Sequence, residues 1–184
     1  ALPPGSWIDE QLARPQTSHR TYWEAQDAAF KAANPTNATA TIGQDGIYNT
    51  FWKQAVSSED QLRQRVAFAL SQIFVISLQD GGVADNPRAV ADYMDLLATQ
   101  GLGNYRDLLE SVSLHPMMGT YLTSLRNRKA DPRTGRVPDE NYAREVMQLF
   151  SIGLLQLNDD GSVKQANGAA LETYTPADIA GLAK

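Results

Sequence analysis

An all-α fold follows from three observations. Apolar residues recur at three- and four-residue spacing through nearly every long segment, helix start signals precede most of those segments, and only one stretch alternates with period two. The architecture they predict is an irregular multi-helix bundle with one short β-hairpin near residues 154–165.

Trp7 to Ala13 reads as a short first helix and Thr21 to Ala33 as a second, carrying Tyr22, Trp23, Ala29 and Phe30 until "NPTNATATIGQDG" breaks it. Tyr48, Phe51, Trp52 and Ala55 keep the i, i+3, i+4, i+7 rule and place a third helix over Gly46 to Val56. In "SSEDQLRQR", Ser58 is the expected N-cap, with Gln61 three residues on. The helix it opens is apolar on almost every face from Val66 to Leu78, as expected of a central helix. Gly81-Gly82 should end it. Asn86-Pro87 starts the next, with Val90, Met94 and Leu97 as its inner stripe and Gly101 as its stop.

Asn104 caps a short helix containing Leu108, Leu109 and Val112, and His115-Pro116 begins another with Met117, Met118, Tyr121 and Leu122. Arg126 to Pro138 is loop by composition. Asp139 should cap a helix running to about Ile152, with Val146, Met147 and Phe150 inward. "LLQLNDDGSVKQ" alternates around Asp160-Gly161, a hairpin signal. The final "TYTPADIAGLAK" opens with Thr175 as N-cap, Pro176 at the first helical position and Asp178 reaching back, and then lacks a C-cap. The chain therefore reads as one helical domain over 1–184 that is the N-terminal fragment of a larger one, cut at Lys184 as by a trypsin-like protease, with a start at Ala1 that was processed, trimmed or chosen.

Bulk properties narrow the function classes. A chain of 184 residues buries roughly 70% of its unfolded surface, enough for a real core without staples. The run "VAFALSQIFVISL" is shorter than the ~20 residues a bilayer requires and contains Ser71, Gln72 and Ser77, so it reads as buried rather than membrane-spanning. A formal net charge of -5 gives no broad attraction for nucleic acid or acidic membranes. Zero cysteines exclude disulfides, thiolate zinc sites and a cysteine nucleophile, and the two histidines lie far apart in sequence, so no metal or other cofactor is expected.

The densest polar cluster is "DENYAREVMQLFSIG". Glu140 with Arg144, and Asn141 with Glu145, are spaced i, i+4 along adjacent stripes of one helix. One reading is a carboxylate pair, Glu140 and Glu145, oriented by Asn141 and Arg144 and suited to a metal or to general acid-base work. The other is helix-dipole chemistry at Asp139 and Glu140 plus surface ion pairs. Glu145 adjoins Val146 and Met147, so burial would require a partner such as Arg63, Arg65 or Arg144.

The loop "RNRKADPRTGR" gathers Arg126, Arg128, Lys129, Arg133 and Arg136 against one acid, Asp131. It reads either as an anion-binding patch or as a solvated, protease-accessible loop. His115 before Pro116 reads as a capping or packing residue. Asn158, Asp159 and Asp160 are clustered oxygen donors, but their spacing to Gly161 does not fit a twelve-residue calcium loop and reads as a turn. Trp7, Trp23, Trp52 and the tyrosines could line a sugar cleft, though helical spacing favours core positions.

As an ordered set, "GSWIDEQLARP", "SSEDQLRQRVAFALSQIFVIS", "NYRDLLESVSLHPMMGTYL", "DENYAREVMQLFSIGLLQLNDDGSV" and "ETYTPADIAGLAK" resemble the bacterial family catalogued as domain of unknown function 1800. The block "ENYAREVMQLFSIGL" is the most specific part. The resemblance implies an exported protein, periplasmic or extracellular, and a domain continuing past Lys184 whose remaining C-terminal part would be a partner of this chain. It implies no established activity. Many members carry histidines in the segment corresponding to Arg63 to Ile76, where this sequence has none. Two functional expectations follow: a helical scaffold or binding module without a self-contained catalytic site, or a hydrolase or polymer-processing enzyme using the Glu140–Glu145 helix with residues from the C-terminal part of the larger domain.

Overall fold

The computed structural model describes residues 3–183, so the expectations attached to Ala1 and Lys184 lie outside the described residues. The chain divides into two compact units, Ala1–Tyr121 and Leu122–Lys184.

The first unit contains α1 (Pro4–Ala13), α2 (His19–Ala33), α3 (Asp45–Ser57), α4 (Gln61–Ser71), α5 (Gly81–Ala84), α6 (Pro87–Gln100), α7 (Tyr105–Leu114) and α8 (Pro116–Tyr121). The hub is α6, which packs against α2, α3, α4, α5, α7 and α8. Val90, Ala91, Tyr93, Leu97 and Ala98 are its buried residues, a stripe too wide for one neighbour, and the two alanines let other helices approach closely. One cluster joins Val90 and Ala91 to Trp23, Ile47, Val83 and Met117. Fully burying side chains of this size contributes about 1.5–3 kcal/mol each.

The central role expected of the 66–78 segment therefore belongs to α6, because α4 stops at Ser71. Beyond it Ile73, Val75 and Ile76 are β-branched and stiff at χ1, and Phe74 is fully buried with its carbonyl accepting the Tyr93 hydroxyl at 2.8 Å. Capping moves too. Asp60 occupies the N-cap position of α4, while the oxygens of Ser58 accept the Gln61 side-chain amide at 2.9 Å. Gly81-Gly82 begins a helix rather than ending one, because the Asp80 carboxylate accepts the Val83 N–H at 3.0 Å as its cap.

The second unit contains α9 (Asn141–Gln148), β1 (Gln165–Ala166), β2 (Ala169–Ala170) and α10 (Pro176–Leu182). The expected hairpin is present and its ladder runs further along the chain. Leu157 bridges Val163 across the Asp160-Gly161 turn, and β1 pairs antiparallel with β2 across Asn167-Gly168. Both turn residues have positive φ, 52° and 78°, the geometry that selects Asn-Gly.

α9 ends at Gln148, short of Ile152. The N–H groups of Ile152 and Gly153 fold back onto the Met147 carbonyl, and Gly153 at φ 73° makes the turn. α10 has the capping box read from the sequence, with Thr175 and Asp178 exchanging hydrogen bonds. No described helix is long and apolar enough to cross a membrane.

Candidate functional site

The cluster at residues 139–145 separates into distinct environments. Asp139 accepts the Asn141 N–H at 2.9 Å, serving the start of α9 as a cap would. Arg144 pairs with Glu140 at 2.9 Å on the surface, and Asn141 is exposed beside it. Glu145 lies on the half-buried side, and its Oε2 is enclosed without a hydrogen-bond partner among the described residues. Two of the partners expected for it are engaged elsewhere, Arg144 with Glu140 and Arg63 3.8 Å from Asp60, while Arg65 pairs with no acid among the described residues.

The basic residues Arg126, Arg128, Lys129, Arg133 and Arg136 are all exposed. Asp131 and Arg136 pair through their backbones, Arg136 donates to the Lys129 carbonyl at 3.0 Å, and Arg133 lies 3.5 Å from Asp131. Asn127 ties this loop down at its base, donating to the Asp139 carbonyl at 2.8 Å and to that of Ala183 at 3.2 Å. The cations thus fringe a solvated turn. The oxygens of "NDDG" also serve a turn, with Asp160 accepting the Ser162 N–H and hydroxyl, which holds its carboxyl below the usual range. Among the described residues no three His, Cys, Asp or Glu side chains gather as a metal site would require.

A different site lies in the first unit. α3 presents two apolar faces. Ile47 turns into the core together with the buried Thr50 and Gln54, while Phe51, Trp52, Ala55 and Val56 form a second edge, with Trp52 63% and Val56 80% exposed. This edge meets Phe68 of α4, whose ring centroid is 5.7 Å from that of Phe51. Between them opens a groove of about 500 Å³, lined also by Met94 and Leu97 of α6 and by Arg65, with His19 and Gln64 among its lining residues.

A buried polar network supports that groove. The Gln64 amide nitrogen donates to the Thr17 carbonyl and to Asp60 Oδ2, both at 3.1 Å, so its Oε1 must face His19 Nε2, 3.0 Å away. An oxygen there requires a proton on Nε2. His19 is thereby fixed as the Nε2–H tautomer, and Nδ1 accepts from the Thr50 hydroxyl at 3.1 Å. Burial lowers the His19 pKa, an effect that Asp95, Gln64 and Asp60 only partly offset, so the ring is neutral at pH 7. Asp60 is fully buried. Burial pushes its carboxyl up, but hydrogen bonds from Thr17 and Gln64 outweigh this and hold it below the usual range.

Asp95 of α6 fixes the other side of His19. Its carboxylate accepts the Ser18 hydroxyl and the His19 N–H at 2.6 Å each, and the Arg20 N–H at 3.1 Å. His115 is structural in its contacts. Nδ1 accepts the Met117 N–H at 3.2 Å and the ring packs edge-on against Tyr93.

A family model described as a protein of unknown function, DUF1800, matches residues 1–184. The chain belongs to this family. No curated protein and no solved structure matches it. In this DUF1800 chain the block "ENYAREVMQLFSIGL" forms α9 and the reversal after it. The histidine-free segment 63–76 covers most of α4, to which α2 brings the His19 imidazole through Gln64.

Sequence reading missed the groove. Its signal was present: Ile47, Phe51, Trp52, Ala55 and Val56 cover more of the α3 circumference than one core contact can bury. The network is harder to read, because Thr17, His19, Thr50, Asp60 and Gln64 come from four separate segments with no motif linking them.

Proposed function

We propose that this chain is a helical binding module of an exported bacterial protein, with the groove between α3, α4 and α6 as its ligand site and no self-contained catalytic centre. One observation carries the reading: a concave apolar surface lined by Phe51, Trp52, Val56, Phe68 and Met94 stands over a hydrogen-bonded polar base. Leaving apolar surface in water costs about 25 cal/mol per Å², and contiguous patches of this kind mark binding sites. The volume falls within the roughly 300–1,000 Å³ of small-molecule sites.

The test is titration with N-phenyl-1-naphthylamine, a neutral apolar fluorophore. Saturable enhancement at one site per chain is expected, with loss of binding in Ala55→Phe, whose ring fills the groove. Non-saturable enhancement, or binding indifferent to Ala55→Phe, refutes the reading. Export is supported by the family resemblance alone, and recovery of the protein only from the cytoplasmic fraction would refute it.

A second reading, a hydrolase or polymer-processing enzyme using α9, is favoured by the enclosed, unpartnered Glu145 Oε2. In the full-length protein, Glu145→Gln should then abolish turnover of a polymer substrate with the melting temperature unchanged. Parallel loss of activity and stability counts against it.

A further inference from the structure

Within the groove, the distribution of charge selects the class of ligand, an argument that rests on the groove being a binding site. Among the described residues twelve line it, and none of these is acidic. One is a cation. Arg65 is exposed on α4, one turn from Phe68, and makes no ion pair or hydrogen bond among the described residues. Most other arginines of the first unit are paired: Arg14 with Glu10 and Glu59, Arg20 with Glu24 and Asp92, Arg63 with Asp60, and Arg88 with Glu24. In a chain of net charge -5, an unopposed guanidinium on the edge of an apolar groove is a local reversal of sign.

The buried polar residues of the groove, Gln64 and His19, cannot take a ligand's polar end, and the Ser71 hydroxyl already donates to the Phe68 carbonyl at 2.7 Å. Gln64 spends its amide on Thr17, Asp60 and His19, and both His19 nitrogens are occupied by Gln64 and Thr50. A polar ligand group placed against them would lose water without gaining a partner. An apolar body placed against Phe51, Phe68, Met94 and Leu97 loses nothing. The molecule that satisfies both conditions lies with its apolar body in the groove and its charge outward at Arg65, where the guanidinium fork matches a carboxylate.

From this arrangement we infer that the groove holds a fatty-acid-like amphiphile, an acyl chain ending in one carboxylate, with Arg65 as the residue that selects the anionic head. The alkyl stem of Arg65 adds cover to the chain while its head stays at the surface. No reaction is required of the site.

The experiment displaces N-phenyl-1-naphthylamine with decanoate and with decan-1-ol, in the wild-type protein and in Arg65→Gln. Arg65 has no partner to lose, so the melting temperature of the variant should match wild type. The expected result is a preference of about tenfold for decanoate in the wild type, the scale of one charge-assisted hydrogen bond, weakening as salt is raised. In Arg65→Gln the preference should vanish with decanol binding unchanged.

Equal affinity for the two ligands in the wild type, or equal weakening of both in the variant, overturns the carboxylate assignment and leaves the apolar site standing. Failure of both ligands to displace a saturably bound fluorophore overturns the amphiphile as the occupant, whereas the site itself falls only if the fluorophore binds non-saturably or indifferently to Ala55→Phe. A concentration-dependent dimer in sedimentation that neither ligand disperses would make a second copy of the chain the occupant, and also overturns the assignment.

Discussion

Replacing Asp95 by alanine should cost far more than a half-buried aspartate ordinarily does. The carboxylate receives three hydrogen bonds from the first turn of α2, at 2.6 Å from Ser18 Oγ, 2.6 Å from the His19 N–H and 3.1 Å from the Arg20 N–H. The first N–H groups of a helix have no partner within it, and these two look to a side chain of another helix for theirs. A hydrogen bond to a charged group contributes about 1.5–3 kcal/mol, and water entering a half-buried site recovers part of that. The three are not additive, so we expect a net loss of about 2–4 kcal/mol. Urea unfolding followed by circular dichroism should show the midpoint falling at constant m-value. Asp95→Asn keeps one acceptor oxygen and should fall between. In a double-mutant cycle with Ser18→Ala, the coupling should be on the order of 1 kcal/mol, because the two side chains share a bond. A loss below about 1 kcal/mol for Asp95→Ala, within the range of ordinary surface substitutions, would refute the claim that α6 caps α2.

Stability should also fall between pH 6.5 and 5. Burial lowers the pKa of both His19 and His115 in the folded chain, so the unfolded chain binds more protons across this window and stability declines as pH falls. Each histidine contributes a slope of at most about 1.4 kcal/mol per pH unit, and the His19→Gln, His115→Gln double variant should flatten it in urea titrations at pH 7 and 5.5. Asp60 and Asp27, whose carboxyls are held low, lose their contributions only at more acid pH and do not confuse the measurement. Gly46→Ala should destabilise by about 1–3 kcal/mol, because its Cβ would collide with Ile42 Cδ1 and lie 2.6 Å from Trp23 Nε1, which donates to the Gly43 carbonyl; an unchanged urea midpoint would contradict this packing.

Local chemistry was legible in the sequence and distant pairing was not. Thr175-Pro176 with Asp178, Asn104 before Tyr105, and Asn86-Pro87 each mark a helix start that the structure has, because the signal and its effect lie within four residues. Asp139 was expected to cap α9 and accepts the Asn141 N–H, one position from the assigned boundary. The segment 72–78 looked helical because its composition is apolar, yet what decides it is Phe74 buried against α6 through Tyr93, a contact 19 residues away. The exposed edge of α3 was counted as core for the same reason. Spacing shows that Trp52 and Val56 share a face, but it does not say whether another helix covers that face. For the Glu145 helix, the sequence located the polar cluster, while the engagement of Arg144 by Glu140 is a choice between near neighbours that only geometry makes.

The carboxylate that completes α2 lies 76 residues after His19, the first residue of the helix. A ribosome adding about 5–20 residues per second delivers it roughly 4–15 s later. Throughout that interval the nascent α2 has the Ser18 hydroxyl to cap it but no acceptor for its first two N–H groups, and in the growing chain it packs on α3, with Gln64 of α4 bonded to His19. Completion of the bundle is thus timed by the emergence of α6, and a translational pause before residue 95 would prolong the period in which Trp23 and Ile47, which end buried against Val90 and Ala91, are open to other proteins in the cell.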